Sequence, residues 1–239
     1  MGILQEYGVD AVSHYSPLHY LPFIGRSQAL KSKPALASEG FGHTHFRSKS
    51  RDHDVKRGFR NFAFLTLDAS PRIVKAKLAG GFPHIALLVP PAAIENQGFE
   101  LCRFNVAMTR KLCRNGKTGW PESDTNGRYF GSREIPTARS RADVSAMLQH
   151  HLNNTMIEVL VRNELPLPHD TKVVAYHPAD YELARHVIQA IQSPWTAVLA
   201  KPPGPYPRKK VHAGRVEEFI QASLANPKWR GDGLEFDKV

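Results

Sequence analysis

One short segment of the chain has the alternation of a β-strand, with a carboxylate in an unexpected place. Across residues 155–161, Glu158 lies between the apolar Met156 and Leu160 on one predicted face. The opposite face carries branched aliphatic residues only, Ile157, Val159 and Val161. Burying an unpaired carboxylate is costly. Either the strand is an edge strand whose Glu158 face is wet, or Glu158 is retained for its chemistry.

Apolar periodicity elsewhere predicts an α+β fold. Strands are predicted at 61–67, 84–89 and 172–176. Helices are predicted to begin at Ser16-Pro17 and end at Gly25, to run from Ser140 to about residue 153 and from 178 to 192, and to include Val216, Phe219, Ile220 and Leu224. Because strands and helices are mixed unevenly, a doubly wound parallel sheet is not favoured.

Two stretches without clear periodicity, 27–60 and 115–139, are predicted as long loops. The chain has 239 residues with 41% apolar content, enough for one well-buried core. We expect a catalytic-sized domain over 1–200, a Pro-rich basic linker over 201–213 and a C-terminal helix with its tail over 214–239.

Composition points to a cytoplasmic protein. No run reaches the ~18 to 20 apolar residues that a membrane span needs. The first 25 residues contain acidic side chains where a signal peptide needs a basic start and an apolar core. Two cysteines, Cys102 and Cys113, imply no disulfide framework. We therefore expect a cytoplasmic setting and no membrane partner.

The net charge of +10 favours a polyanionic partner, because binding to phosphates releases counterions. Two segments, 101–120 and 201–215, carry five basic residues each and no acidic one. They are Arg103, Arg110, Lys111, Arg114 and Lys117 in the first, and Lys201, Arg208, Lys209, Lys210 and Arg215 in the second. The alternative is a solvated basic face that only keeps the protein dissolved.

One His- and Asp-rich segment resembles a metal site. His43, His45 and the run Asp52-His53-Asp54 offer imidazole and carboxylate ligands at short spacing. Neighbouring basic residues such as Lys49 and Lys56 oppose a divalent cation, so we predict no metal. Neither a Gly-x-Gly-x-x-Gly turn nor a Gly-x-Ser-x-Gly elbow is present, so a bound nucleotide must be held by side chains.

An ordered set of polar residues is more informative than any single motif. His14-Tyr15-Ser16 comes first, then Arg51 in a basic loop, then the strand Phe62–Leu67 with Ser70-Pro71, and finally Glu158. Over residues 12–176 this order resembles the ADP-ribosyltransferase superfamily, most closely the DarT-type toxins that modify bases in nucleic acid. Ser16 stands where that family usually has threonine, and residues 110–139 match it poorly.

The resemblance implies split mixed or antiparallel β-sheets with flanking helices, and NAD as substrate without a metal. Glu158 and Arg51 are then catalytic, and the residues that bind NAD are His14, Ser16, Arg51 and Arg47. The reaction is mono-ADP-ribosylation, a pentosyl transfer from NAD to a base in single-stranded DNA or RNA that releases nicotinamide. The predicted nucleic-acid contacts are Arg110, Lys111, Arg114, Lys117, Trp120, Arg208, Lys209 and Lys210.

The same resemblance implies a toxin of a toxin–antitoxin or phage-defence system. Its expected partner is an antitoxin, either an ADP-ribosyl hydrolase or a protein that blocks the cleft. Two alternatives stay open. A protein that binds nucleic acid without catalysis explains the charge and the interleaved aromatic residues, and an ADP-ribosyltransferase acting on protein would share the residues that bind NAD.

Overall fold

A mixed β-sheet organises the protein, whose structure is a computed structural model. The structure describes residues 2–41, 59–67, 71–79, 84–102, 137–152 and 157–229. Within these ranges the strands are β1 (Val12–Pro17), β2 (Ala29–Lys31), β3 (Phe62–Thr66), β4 (His84–Val89), β5 (Glu100–Cys102), β6 (Glu158–Arg162), β7 (Glu164–Pro166), β8 (Lys172–Ala175) and β9 (Thr196–Leu199).

The described strands form two sheets. Seven of them follow the order β5-β6-β3-β1-β4-β8-β9, and β2 pairs with β7 in the other sheet. All neighbours are antiparallel except β8 and β9, which are joined through a helix and run parallel. The α+β fold with mixed and antiparallel sheets is thereby confirmed, as are the strands predicted near 61–67, 84–89 and 172–176.

Helices cover both faces of the large sheet. They are α1 (Ile3–Glu6), α2 (Leu21–Ser27), α3 (Lys33–Ser38), α4 (Pro71–Leu78), α5 (Pro91–Gln97), α6 (Arg141–His151), α7 (Pro178–Ala190) and α8 (Lys210–Ala225), with a 3-10 turn at Leu18–Tyr20. The predicted helix after Ser140 is confirmed, since the Ser140 hydroxyl accepts a hydrogen bond from the Asp143 backbone N–H at 3.1 Å.

The main core lies on one face of the sheet. Alternation sends the odd-numbered residues of β4 and β6 to this face, Ile85, Leu87, Val89, Val159 and Val161, all of them fully buried. The predicted stripe of α7 packs against them through Ala184 and Val187. Each such aliphatic side chain contributes about 1.5 to 3 kcal/mol when it leaves water.

The N-terminal helix differs from its prediction at both ends. Ser16 and Pro17 do not cap it, because both lie in β1, where Ser16 is opposite Ile85 and Pro17 opposite His84. Sheet pairing therefore overrides the Ser-Pro helix signal, and α2 begins only at Leu21.

Gly25 does not end α2 but lies inside it, and close helix packing is the reason. A Cβ placed on Gly25 would come 2.2 Å from Ile191 Cδ1 and 3.7 Å from the Trp195 ring. The glycine thus lets α2 approach the end of α7. The helix ends instead at Ser27, where Gln28 takes the left-handed conformation with φ 48°.

The predicted loop 27–60 is wrong in its first part. Leu30 of β2 is buried opposite Leu165 of β7, and α3 follows directly. Three residues are too few for their alternation to signal a strand, so β2 needs its partner strand to be recognised. Residues 42–58, and with them His43, His45 and Asp52-His53-Asp54, lie outside the described residues.

The C-terminal helix packs against the N-terminal part of the chain. Phe219 of α8 meets Phe23 of α2 with ring centroids 5.8 Å apart, and the Arg26 Nη2 donates to the Ser223 carbonyl at 2.7 Å. The helix begins at Lys210, within the segment 201–213 that was predicted as a linker.

Candidate active site

Glu158 is buried in the interior of the large sheet. Its strand β6 lies between β5 and β3, and the residue is only 7% exposed. The interpretation of a wet edge strand is therefore wrong. Leu160, the next residue on the same face, joins a buried apolar cluster with Phe59, Phe62 and Cys102. The carboxylate is buried beside this cluster, where electrostatic interactions are stronger than in water.

A row of polar side chains crosses the sheet from Glu158. In the antiparallel ladders Glu158 is paired with Thr66, and Thr66 is paired with Ser13 of β1. Residues paired in this way point to the same face. Adjacent strands lie about 4.8 Å apart, so the backbones of Glu158 and Ser13 are roughly 10 Å apart. Cys102 continues the row on the other side of Glu158.

The sheet splits beside this row, and His14 lies at the split. Strands β1 and β3 share a single paired position, Ser13 with Thr66, whereas β1 and β4 are paired over six positions. Next to Ser13, a side-chain contact replaces the backbone pairing: the His14 Nδ1 lies 2.8 Å from the Phe64 carbonyl oxygen. The imidazole thus bonds to a carbonyl of β3 at the place where the backbone ladder between the two strands stops.

This hydrogen bond determines which nitrogen of His14 carries the proton. A carbonyl oxygen can only accept, so Nδ1–H is the donor and Nε2 of the neutral ring is an acceptor. Burial lowers the pKa of His14; the bond to Phe64 opposes this, and the nearby charge of Lys77 reinforces it. At neutral pH His14 therefore presents an acceptor that fits a hydroxyl donor, as a ribose supplies.

Ser16 lies on the same strand but directs its hydroxyl to the backbone. The residue is 3% exposed, and its Oγ donates to the Pro17 carbonyl at 3.3 Å. Its predicted contact with a ribose or nicotinamide stays a prediction and requires the hydroxyl to rotate.

The other residues that were predicted for the site divide into two groups. The first group lies outside the described residues and consists of Arg47, Arg51, Arg110, Lys111, Arg114, Lys117 and Trp120. Lys209 and Lys210 are exposed at the start of α8, but Arg208 is engaged in a buried ion pair.

Arg208 ties the segment before α8 to the start of α7. Its Nε donates to Asp180 Oδ1 at 2.7 Å, and the Tyr206 hydroxyl lies 3.4 Å from Asp180 Oδ2. The Asp180 side chain is fully buried, so burial raises its pKa and the Arg208 guanidinium opposes that rise. The same Tyr206 hydroxyl accepts from the His84 backbone N–H at 3.3 Å. Binding a phosphate with Arg208 would require this buried pair to open.

His84 couples the stability of this region to pH. Burial lowers the pKa of His84 to about 4. A hydrogen bond with the Ser16 backbone acts to raise this pKa, and the Lys77 charge lowers it further. Between pH 6.5 and about 4 the unfolded chain binds a proton at this residue and the folded chain does not. Stability must therefore fall as the pH drops through that window.

We expect His84 to account for roughly 2 to 3 kcal/mol of the stability lost between pH 7 and pH 4. Urea unfolding of the wild type and of His84→Gln at both pH values measures this contribution. The loss should be smaller in His84→Gln, whereas His186→Gln, on the exposed side of α7, should lose as much as the wild type. Equal losses in all three proteins would contradict the assignment.

Three residues on the face of the sheet that carries Glu158 were missed by the sequence interpretation: Ser13, Thr66 and Lys77. Ser13 is fully buried, and its Oγ has no hydrogen-bond partner within the described ranges. Its position beside His14 was visible in the sequence, but the pairing of Thr66 with both Ser13 and Glu158 is a matter of strand register. Lys77 belongs to α4, a helix that was not predicted.

Two other features are absent from the described residues. No group of three or more His, Cys, Asp or Glu side chains there is arranged to hold a metal ion. None of the helices there has the length and apolar character needed to cross a membrane.

Comparisons with known proteins show the fold. No protein-family model matches the chain, and no curated protein matches it. A solved structure of Thermus sp. 2.9 DarT in complex with NAD+ is similar, with 10% identity and a TM-score of 0.52 over 82% of this chain and 98% of the other. The same DarT in complex with ADP-ribosylated single-stranded DNA gives 13% identity and a TM-score of 0.50 over 83% and 97%. The chain therefore has the fold of a DarT ADP-ribosyltransferase.

Proposed function

We propose that this chain is an NAD-dependent mono-ADP-ribosyltransferase that modifies a base in single-stranded DNA and releases nicotinamide. The observation that carries the proposal is a buried carboxylate, Glu158, in one polar row with Thr66 and Ser13, two strands from an imidazole at a split in the sheet. The fold of an enzyme solved with NAD+ and with ADP-ribosylated DNA supports both substrates.

Glu158 has the chemistry that this transfer needs. The bond between nicotinamide and ribose C1′ breaks with its electron pair going to nicotinamide, and C1′ then bonds to a nitrogen of the acceptor base. Positive charge develops on the ribose in between, and a buried carboxylate stabilises it. Glu158 also takes the proton that the attacking nitrogen loses. The burial of Glu158 supports this role, because water would screen the charge.

The neutral His14 supplies orientation. Its Nδ1 is held by the Phe64 carbonyl, so its Nε2 accepts from a ribose hydroxyl without having to lose a proton. Ser16 assists through its hydroxyl. Arg51, with Arg47 as the alternative, holds the diphosphate, since a guanidinium matches phosphate oxygens in pairs.

The basic residues place the nucleic acid. The segment with Arg110, Lys111, Arg114 and Lys117 contacts phosphates, and Trp120 stacks on a base. Lys209 and Lys210, exposed at the start of α8, extend this contact.

Replacing Lys209 and Lys210 by alanine should weaken binding of single-stranded DNA and flatten its dependence on salt. Two phosphate contacts account for about 1.4 units of the slope of log K against log salt for a single strand. Binding of a fluorescent oligonucleotide at several salt concentrations measures the slope. Arg185→Ala with Lys228→Ala removes the same charge from other exposed positions. An equal change of the salt slope in this control would show that the effect comes from net charge and not from a contact at Lys209 and Lys210.

Incubation with labelled NAD and single-stranded DNA, RNA or cell lysate tests the proposed function. We expect nicotinamide release and a DNA product heavier by one ADP-ribosyl group in mass spectrometry. Label found on RNA alone or on protein alone would show that DNA is not the acceptor, but would leave the proposed ADP-ribosyl transfer from NAD unchanged. Binding of nucleic acid with no consumption of NAD would favour the non-enzymatic alternative and overturn the proposal.

We further infer that the chain acts as a cytoplasmic toxin in a toxin–antitoxin or phage-defence system. Modified bases block copying of the DNA, so a cell that makes the enzyme needs an antitoxin, either an ADP-ribosyl hydrolase or a protein that covers the site. Growth arrest on expression of the wild type, and none with Glu158→Gln, is the expected result. Normal growth despite modified DNA would contradict the toxin role.

A further inference from the structure

A lysine outside the polar row lies on the same face of the sheet as Glu158. Tyr15 is two residues after Ser13 on β1 and therefore points to the face of the Ser13–Thr66–Glu158 row. Helix α4 covers this face through Val74 and Leu78, which pack against Tyr15 and residues of β4 and β8. From this helix the Lys77 Nζ lies 5.8 Å from the centroid of the Tyr15 ring.

Lys77 has no anionic partner among the described residues. The side chain is half-buried, and in the described part of the chain no carboxylate lies within ion-pair distance of it. Its charge acts on two buried histidines beside it, His14 and His84, and helps to lower the pKa of each. Burial is the larger cause of the lowered pKa of His14 and of His84, and the Lys77 charge adds to it, so neither ring competes with Lys77 for an anionic ligand.

The position suits one particular anion. Two residues along β1 span about 7 Å, so Tyr15 lies close to the row that contains Ser13. In NAD the diphosphate is attached to C5′ of the same ribose whose C1′ would face Glu158. A phosphate bound at Lys77 would therefore leave this ribose to extend from Lys77 toward the row that contains Glu158. A polynucleotide would instead meet exposed cations such as Lys75 on the same helix.

We propose that Lys77 forms an anion subsite for the diphosphate of NAD, on the face that carries Glu158, with the Tyr15 ring beneath its ammonium group. The inference rests on the proposed function for the identity of the ligand. Lys77 acts by binding, so its loss should raise KM for NAD and change kcat little.

Calorimetric titration with inorganic pyrophosphate and with NAD tests the subsite in the full chain. In Lys77→Met, which keeps the length of the stem, both ligands should bind about 10- to 100-fold more weakly. Lys77→Arg should keep most of the affinity. Lys75→Met, with the same charge change on the exposed side of α4, should bind within about twofold of the wild type.

The outcomes separate this inference from the proposed function. If NAD is consumed and Lys77→Met binds both ligands like the wild type, the subsite is wrong and the transferase stands. If pyrophosphate binding depends on Lys77 but NAD is never consumed, the subsite stands and the transferase falls. A lower melting temperature of Lys77→Met with unchanged affinities would show a purely structural contact with Tyr15. Weaker binding of single-stranded DNA with unchanged NAD affinity would assign Lys77 to the nucleic acid and overturn the inference.

Discussion

Replacement of Glu158 by glutamine should lower kcat for ADP-ribosyl transfer by about 10³-fold, the scale at which one preorganised electrostatic group contributes to a transition state. The amide keeps the size of the side chain but carries no charge to stabilise the ribose cation and cannot take the proton. Because Glu158 is buried, bulk water does little to compensate for the loss of its charge. KM for NAD should change little, because the charge matters only when the bond is breaking.

Two further variants distinguish the position of the carboxylate from its mere presence. Glu158→Asp keeps the charge but withdraws it by one methylene, and a misplacement of about 1 Å costs roughly 10² in rate. Glu164→Gln changes a carboxylate on the neighbouring strand β7, where it lies 3.7 Å from Lys31 at the surface, and should leave transfer unchanged. Initial rates of nicotinamide release measure all three. Wild-type rates in Glu158→Gln with an unchanged melting temperature would remove the proposed chemistry.

Arg208→Ala should destabilise the protein by about 3 to 5 kcal/mol, because it leaves the fully buried Asp180 carboxylate without its cation. For a chain of this size that corresponds to a melting temperature lower by roughly 6 to 20 °C. The pKa of Asp180, already raised by burial, should rise further. When the folded-state pKa of Asp180 lies above its unfolded value, the folded variant binds a proton at a pH where the unfolded chain does not. The loss of stability caused by Arg208→Ala should therefore be largest at neutral pH and become smaller as the pH falls.

Thermal unfolding at pH 7 and at pH 5 measures this effect. Asp180→Asn combined with Arg208→Ala should recover much of the loss, because the uncompensated charge is gone. Lys209→Ala, at the adjacent exposed position, should unfold like the wild type. A melting temperature of Arg208→Ala within 2 °C of the wild type would show that the pair contributes nothing to stability, and Arg208 would then be available to phosphates.

Several elements could be predicted from the chain because their signals are local. The alternation in β4 and β6, the apolar stripe of α7 and the Ser140 cap of α6 each depend on residues that are close in sequence. The isolation of Glu158 among apolar neighbours was equally visible. The association of His14 with Glu158 came from a resemblance, and strand order then placed them two strands apart.

Other features depended on distant partners and were therefore missed or mistaken. Ser16 and Pro17 carry a helix signal, but the pairing of β1 with β4 outweighs it. Gly25 has the sequence signature of a helix end, yet it is a glycine because Ile191 presses against α2. Arg208 lies in a run of exposed basic residues, and only the packing of α7 reveals that it neutralises Asp180.

The amino-acid sequence alone determined the longer strands and helices, that a carboxylate stands within one strand, and that the chain is basic, because periodicity, propensity and charge are properties of neighbouring residues. The tertiary structure decided that Glu158 is buried, that it shares one face with Thr66 and Ser13, and that Lys77 reaches that face from α4. Strand order and register bring these residues together from positions up to 145 apart in the chain, and pairings over such separations leave no periodic trace in the sequence.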